Sequence, residues 1–238
     1  MRAVIIGATG GIGRELVQQL ANRADVEIVY ALSRSGDTPP HDKVVAARLD
    51  LQDEASIEAA AVRVASEGTP DLVILASGLL SDEAGLNPEK SFRQQSSAAF
   101  EKVFAVNTFG PALVAKHFLP LMPRKGRAVF AALSARVGSI SDNRMGGWHA
   151  YRASKAALNM LIRNYAIEQA RRNEDFIAIG LHPGTVDTDL SKPFQSGVPD
   201  KKLFSADQSA AYLLNVIDGL DPKDTGKAFD WAGKEIPA

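Results

Sequence analysis

The sequence contains no cysteine, which excludes disulfide bonds and thiolate chemistry. The net charge is −1, so no overall field recruits nucleic acid or a membrane surface. No apolar run approaches the ~20 residues that a membrane-spanning helix needs, and the N-terminus shows no apolar leader of signal length. The four histidines have no metal-ligand spacing. We therefore expect a cytoplasmic protein with no metal ion, no nucleic-acid partner and no membrane partner.

Short apolar runs alternate with helical patterns along all 238 residues. Such runs are typical of buried parallel strands. Strands are predicted at 3–6, 26–32, 44–49, 71–76, 128–133, 176–181 and 227–231. A helix is predicted through Leu16, Val17 and Leu20, and others at 52–67, 98–119, 150–172 and 205–217. The pattern predicts one α/β domain over residues 1–238, a doubly wound Rossmann fold whose mostly parallel seven-stranded sheet carries helices on both faces.

A glycine-rich loop, Gly7-Ala8-Thr9-Gly10-Gly11-Ile12-Gly13, joins the first strand to the first helix. Glycines at such a turn let a pyrophosphate approach the backbone, and the helix N-terminus offers it free N–H groups. The spacing is Gly7-x-x-x-Gly11-x-Gly13 rather than G-x-G-x-x-G, and a plain tight turn is the alternative. Its position after the first strand of an α/β chain favours a bound dinucleotide.

The second strand is followed by Ser33-Arg34-Ser35, where the adenosine ribose of a dinucleotide lies in this fold. An acidic residue there would bind the free 2′-hydroxyl of NAD, but the chain offers Arg34, and Arg14 follows the glycine loop. Guanidinium groups suit a 2′-phosphate. The sequence therefore predicts NADP(H) as the preferred cofactor with NAD(H) possible; two solvated surface arginines are the alternative.

Tyr151 and Lys155 lie four residues apart on a predicted helix and therefore share one face. A nearby ammonium favours the phenolate and is expected to lower the tyrosine pKa, which would make Tyr151 a general acid or base. A chance pair on a solvated helix is the alternative.

Several of the candidate residues follow the C-terminal end of a predicted strand, where doubly wound sheets bind ligands. Those with this position are the Gly7–Gly13 loop, Arg34, Asp50, Gly78, Ser134 and Pro183-Gly184. Their convergence on one rim of the sheet predicts a single site.

Pro111 lies four residues after Asn107 in the predicted helix 98–119. Because proline has no N–H, the carbonyl of Asn107 is left free and could hold a water molecule. A simple kink in a packing helix is the alternative.

With these motifs in view, the chain resembles the short-chain dehydrogenase/reductase family over essentially its whole length. The segments 134–140, 146–148 and 151–159 resemble the C-factor and sniffer-like carbonyl reductase branch. The resemblance implies an active-site tetrad of Asn107, Ser134, Tyr151 and Lys155. It also implies cofactor contacts from Gly7, Thr9, Gly11, Ile12, Gly13, Arg14, Ser33, Arg34, Asp50, Leu51, Ala76, Ser77, Gly78, Asn107, Tyr151, Lys155, Pro183, Gly184 and Val186.

The resemblance further implies hydride transfer between a nicotinamide and a carbonyl or alcohol carbon of a small molecule. In reduction, Tyr151 would donate a proton to the substrate oxygen and Lys155 would lower the pKa of the tyrosine. Ser134 would hydrogen-bond the same oxygen. A carbonyl reductase is expected, with a substrate lid at about 185–204 and assembly into a homodimer or homotetramer. A non-catalytic NADP(H)-binding sensor or signalling protein on the same fold is the alternative.

The chain departs from the family pattern at three places. Ile6 replaces the usual threonine before the glycine loop, and Leu75-Ala76-Ser77-Gly78 replaces Asn-Asn-Ala-Gly. The family's serine commonly lies thirteen residues before the tyrosine, where this chain has Gly138. We choose Ser134 because it directly ends a strand; Ser139 is the alternative.

Overall fold

A computed structural model describes residues 1–38, 40–195 and 203–238 of the chain. In this part of the chain the strands are β1 (Arg2–Ile6), β2 (Ile28–Ser33), β3 (Val44–Arg48), β4 (Leu72–Leu75), β5 (Ala128–Leu133), β6 (Phe176–His182), β7 (Thr185–Val186), β8 (Leu203–Phe204), β9 (Ala228–Asp230) and β10 (Glu235–Ile236). The helices are α1 (Gly11–Ala21), α2 (Glu54–Glu67), α3 (Ser97–Phe104), α4 (Gly110–Phe118), α5 (His149–Ala170) and α6 (Ala206–Gly219).

The main sheet has the strand order β10-β9-β6-β5-β4-β1-β2-β3. Its strand pairs are parallel except β9 with β10, which is antiparallel. This confirms the doubly wound α/β fold with a mostly parallel sheet. The predicted count of seven strands was wrong, because the described residues form a main sheet of eight. The strand β10 is only two residues long, too short for its sequence to show a strand period.

The predicted helix 98–119 is interrupted in the structure. A π-helical turn, Ala105–Phe109, separates α3 from α4. Pro111, the second residue of α4, has no N–H to give to an i→i−4 ladder, which accounts for the change of hydrogen-bond register just before it. The interruption places Asn107 inside the π turn, where it is almost fully buried.

The sheet is covered on both faces because its central strands are apolar on both sides. Along β1, Val4 and Ile6 pack into a core with side chains of α2, α4 and α5, whereas Ala3 and Ile5 pack with α1 and α6. This alternation is the period of two expected for a strand. Because β1 is an interior strand of the sheet, the glycine loop that follows it lies near the middle of the rim formed by the C-terminal strand ends.

The segment 185–204, predicted to be an irregular lid, contains some regular structure. β7 pairs in parallel with β8, and a 3₁₀ turn forms at Lys192–Phe194. The part of the predicted lid at 196–202 lies outside the described residues. None of the described helices is both long enough and apolar enough to cross a membrane.

Candidate active site

Tyr151 and Lys155 lie in the first two turns of α5 and are both buried, with 8% and 2% of their surface exposed. The Lys155 ammonium Nζ lies 5.8 Å from the centre of the Tyr151 ring. Nζ donates a hydrogen bond of 2.7 Å to the backbone oxygen of Leu133, the last residue of β5. The backbone of β5 therefore holds the ammonium beside the tyrosine ring.

Burial sets the titration of this pair. It raises the pKa of Tyr151 to about 12 and lowers the pKa of Lys155 to about 8. The pKa of Tyr151 is raised and not lowered as expected from the neighbouring ammonium, because burial removes the phenolate from water. Tyr151 is therefore protonated at neutral pH, the state in which a phenol can give up a proton.

The side chain of Asn107 joins the segment after β4 to helix α5. Its Oδ1 accepts the N–H of Leu79 at 2.8 Å, and its Nδ2 donates to the oxygen of Leu79 at 2.8 Å and to Ser154 Oγ at 3.1 Å. This clamp steadies the sheet edge at which the usual asparagines of the family are missing. The water-holding role of the Asn107 carbonyl stays a prediction.

Ser134 directly follows β5 and lines the cleft next to Tyr151, whereas Ser139 is buried outside the cleft lining. The Ser134 hydroxyl donates to Asn159 Oδ1 at 2.7 Å, so it must turn away from Asn159 before it can donate to a substrate oxygen. Ser139 Oγ accepts the N–H of Asp142 at 3.1 Å. This placement favours Ser134 over Ser139 as the serine beside the substrate.

One cleft of about 640 Å³ connects most of the predicted residues. It runs along the C-terminal ends of the strands, from β2 and β3 to Tyr151. The predicted residues in its lining are Gly7, Thr9, Gly11, Ile12, Ser33, Arg34, Asp50, Leu51, Ala76, Ser77, Gly78, Ser134, Tyr151, Lys155, Pro183, Gly184 and Val186. The convergence that the strand ends predicted is therefore present in the structure.

Three predicted residues lie outside the lining of this cleft: Gly13, Arg14 and Asn107. A Cβ on Gly13 would stand 2.1 Å from the oxygen of Gly7, so this glycine allows close packing between helix and turn. Arg14 is exposed on α1. Asn107 is enclosed by the hydrogen bonds of its clamp.

The lining also contains residues that were not among the individually predicted contacts. Asp82 and Lys102 form an ion pair at the cleft, and Thr188 to Ser191 of the predicted lid also line it. Their sequence carries no motif, and only the return of the chain after β7 brings the lid residues to the glycine loop. A Cβ on Gly11 would stand 2.7 Å from Thr188 Cγ2.

The cleft carries a cationic group at the end of β2. Arg34 is exposed and lines the cleft, and no acidic residue stands at this strand end. Ser33 is buried, and its Oγ accepts the N–H of Gly36 at 3.1 Å. A guanidinium here favours a phosphate group.

The glycine turn is shaped for a close backbone approach. Gly7 has φ +88°, and a Cβ there would collide with the Ser77 side chain. Helix α1 begins at Gly11 without a side-chain cap, which leaves its first N–H groups available to an anion. These residues fit the pyrophosphate of a dinucleotide. Among the described residues, no group of three or more His, Asp or Glu side chains could hold a metal ion.

Comparisons with known proteins agree with this geometry. The family model described as short chain dehydrogenase matches residues 1–198. The 1-hydroxy-2-glutathionyl-2-methyl-3-butene dehydrogenase of Rhodococcus sp. (strain AD45) is 31% identical over 226 residues, covering 94% of this chain and 93% of that protein. The C-signal protein of Myxococcus xanthus is 39% identical over 140 residues, covering 59% of this chain and 79% of that protein.

Among solved structures, the NADPH-bound carbonyl reductase from chicken fatty liver superposes with a TM-score of 0.86 and is 28% identical. The superposition covers 100% of this chain and 98% of the chicken protein. The likeness to C-signal and to a carbonyl reductase confirms the predicted branch of the family.

Proposed function

Since the chain belongs to the short-chain dehydrogenase/reductase family and is an oxidoreductase that uses a nicotinamide cofactor, we propose that it is an NADPH-dependent carbonyl reductase. The observation that carries this proposal is a protonated, buried Tyr151 beside Lys155 at one end of a cleft that has Arg34 at the other. Tyr151 supplies an acid for a carbonyl oxygen, and Arg34 selects a 2′-phosphate. The NADPH bound by the chicken relative supports the same cofactor.

The residues of the cleft fit the cofactor along its length. The glycine turn and the start of α1 would hold the pyrophosphate, Asp50 and Leu51 the adenine, and Pro183-Gly184 the nicotinamide. When bound, the nicotinamide supplies the hydride.

The protein supplies the proton and controls the charge. Tyr151 donates its phenolic proton to the carbonyl oxygen as negative charge builds there, a form of general acid catalysis that contributes ~10²–10⁴-fold. The Lys155 ammonium stabilises the phenolate that remains. Ser134, once turned away from Asn159, donates a second hydrogen bond to the same oxygen.

Five further expectations remain predictions. They are the use of NAD(H) as a second cofactor, the lid over 185–204, a single domain over 1–238, a cytoplasmic location and assembly into a homodimer or homotetramer. The exposed Phe109, the last residue of the π turn before α4, and Met160 and Ile167 on α5 support the last of these, because both segments present apolar side chains to solvent.

A thermal-shift titration with NADP(H) and NAD(H), followed by turnover with a panel of aldehydes and ketones, tests the proposal. We expect a larger rise in melting temperature with NADP(H), because a ligand that binds only the folded state stabilises it more the further its concentration exceeds its Kd. We also expect oxidation of NADPH by at least one carbonyl compound. The absence of any shift with either cofactor would refute the assignment.

A non-catalytic NADP(H) sensor is the second candidate. The Ser134 hydroxyl donates its hydrogen bond to Asn159 and therefore points away from a substrate in the cleft. One relative is named C-signal. Both observations support this candidate. Tight NADPH binding without turnover across the whole panel would favour this candidate over the reductase.

A further inference from the structure

Helix α5, which carries Tyr151, begins without a cap of its own. Its N-cap residue is Trp148, whose side chain makes no capping hydrogen bond, and its first turn contains no acidic residue. Trp148 has φ +52°, the only positive φ of a non-glycine residue among the described residues. The first N–H groups of a helix need partners, and a left-handed tryptophan must be held in place by its surroundings.

Glu89, which lies far from this helix in sequence, supplies these partners. Its backbone oxygen accepts the N–H of Trp148 at 2.5 Å. Its carboxylate oxygens lie 3.4 and 3.3 Å from the backbone nitrogen of Ala150, which donates to them. One residue of the segment after β4 therefore holds two N–H groups at the start of α5.

The carboxyl group of Glu89 is in an unusual place for a glutamate, since only 4% of the residue is exposed. A carboxylate is costly to bury unless a partner compensates it. The partner that the structure gives it is the helix N-terminus, where N–H groups and the helix dipole favour negative charge. The contact is therefore a specific anchor and not a solvated surface contact.

The anchored residues border the phenol directly. The Trp148 ring packs edge-on against the Tyr151 ring at 6.2 Å between centroids, and Phe194 of the predicted lid packs on Trp148 at 5.3 Å. Ala150 immediately precedes Tyr151. A shift of either anchored residue would move the phenol relative to the cleft.

We propose that Glu89 is a positioning residue that fixes the start of α5, and through it the phenol of Tyr151, in the orientation needed for proton donation. This inference rests on the proposed function of Tyr151. Glu89 lies outside the lining of the cleft and acts through Trp148 and Ala150.

The test compares Glu89→Ala and Glu89→Gln with wild type in steady-state reduction at saturating NADPH. Glu89→Ala removes the acceptor for Ala150, and we expect kcat to fall about 10- to 100-fold, the scale expected when a reacting group is misplaced by about 1 Å. Glu89→Gln keeps a side-chain oxygen that can accept the same N–H, so kcat should return close to wild type. The Kd for NADPH should be unchanged in both variants.

Asp53→Ala is the matched control, because the Asp53 side chain caps helix α2 by accepting the N–H of Ser56. It should lower the melting temperature as any lost cap does, while kcat at saturating NADPH stays at the wild-type level. An equal loss of kcat in Asp53→Ala, or a wild-type kcat in Glu89→Ala, would overturn the inference.

Hydrogen exchange on the protein without ligands gives a readout that does not depend on turnover. Glu89→Ala removes the side-chain acceptor of Ala150 and should speed exchange at that amide, and Glu89→Gln should not. Unchanged exchange in Glu89→Ala would end the inference even if the enzyme were active. If wild type has no turnover, the proposed function fails, and exchange still decides whether Glu89 holds the start of α5.

Discussion

The ammonium of Lys155 lies 5.8 Å from the centre of the Tyr151 ring while it donates a hydrogen bond to the oxygen of Leu133. Both side chains are buried, and burial favours the neutral form of each group. It raises the pKa of Tyr151 to about 12 and lowers the pKa of Lys155 to about 8. The pair is therefore arranged around a neutral phenol whose conjugate base would have one cation nearby.

Replacing Tyr151 with phenylalanine should remove turnover and leave NADPH binding intact. The ring remains to fill its place among buried side chains, but the proton donor is lost. Stopped-flow or steady-state NADPH oxidation measures the first effect and fluorescence titration the second.

Tyr165→Phe is the control for this change, because Tyr165 lies on the same helix and packs edge-on against Phe130 in the core. It should keep full activity. A Tyr151→Phe enzyme with a near-normal reduction rate would disprove the role given to the phenol.

Lys155 should make the stability of the ligand-free protein rise with pH between about 8 and 10.5. Burial lowers its pKa from 10.5 to about 8, so in this window the unfolded state binds more protons than the folded state. The free energy of unfolding then increases with pH, whereas below pH 8 the cost of burying the charge is fully present.

Urea unfolding of wild type and Lys155→Met at several pH values measures this effect. The free energy of unfolding of wild type relative to Lys155→Met should increase between about pH 8 and 10.5 and stay constant below about pH 8. A free-energy difference that does not vary with pH would show that burial does not shift the pKa of Lys155.

Arg34→Asp should lower the preference for NADPH over NADH, because a carboxylate repels a 2′-phosphate and accepts hydrogen bonds from free ribose hydroxyls. We expect the ratio of kcat/KM for the two cofactors to fall about 10- to 1000-fold, since loss of one charged hydrogen bond and its replacement by repulsion costs about 1.5–4 kcal/mol.

Arg14→Asp provides the comparison. Arg14 is exposed outside the cleft lining, whereas Arg34 lines it, so the effect of Arg14→Asp should be smaller. The opposite order would mean that Arg14 is the main partner of the phosphate.

Ser134→Ala should lower kcat about 10²–10³-fold, the loss measured in other enzymes when one donor to a developing oxyanion is removed. Ser139→Ala should have a smaller effect on kcat, because Ser139 lies outside the cleft lining and its oxygen accepts the N–H of Asp142. Steady-state kinetics with the best carbonyl substrate separates the two variants, and a larger loss in Ser139→Ala would transfer the role to that serine.

Gly13→Ala should abolish cofactor binding or folding, while Gly10→Ala should be tolerated. A Cβ at position 13 would come within 2.1 Å of the Gly7 oxygen, but one at position 10 would lie 3.4 Å from the same atom. Circular dichroism and NADPH titration of the two variants check this difference. Equal behaviour of the two alanine variants would contradict the packing of the turn.

Much of the fold could be predicted because its signals are local. The apolar run of β1, the glycines after it and the pattern of α1 each follow from neighbouring residues. The eighth strand and the π turn could not be predicted in this way. β10 has two residues, and the π turn depends on how the hydrogen-bond ladder around Pro111 is resolved in three dimensions.

The order of strands along the chain was enough to predict that most of the cleft residues meet at one rim of the sheet, because parallel strands bring their C-terminal ends together whatever the loops between them. The chemical state of these side chains, in contrast, depends on how the chain packs in three dimensions. The direction of the Tyr151 pKa shift, the partner of the Ser134 hydroxyl and the anchoring of α5 by Glu89 depend on burial and on contacts between distant segments, such as Glu89 and Ala150, which are 61 residues apart. Desolvation and long-range hydrogen bonds exist only once the chain has folded, so no local pattern can encode them.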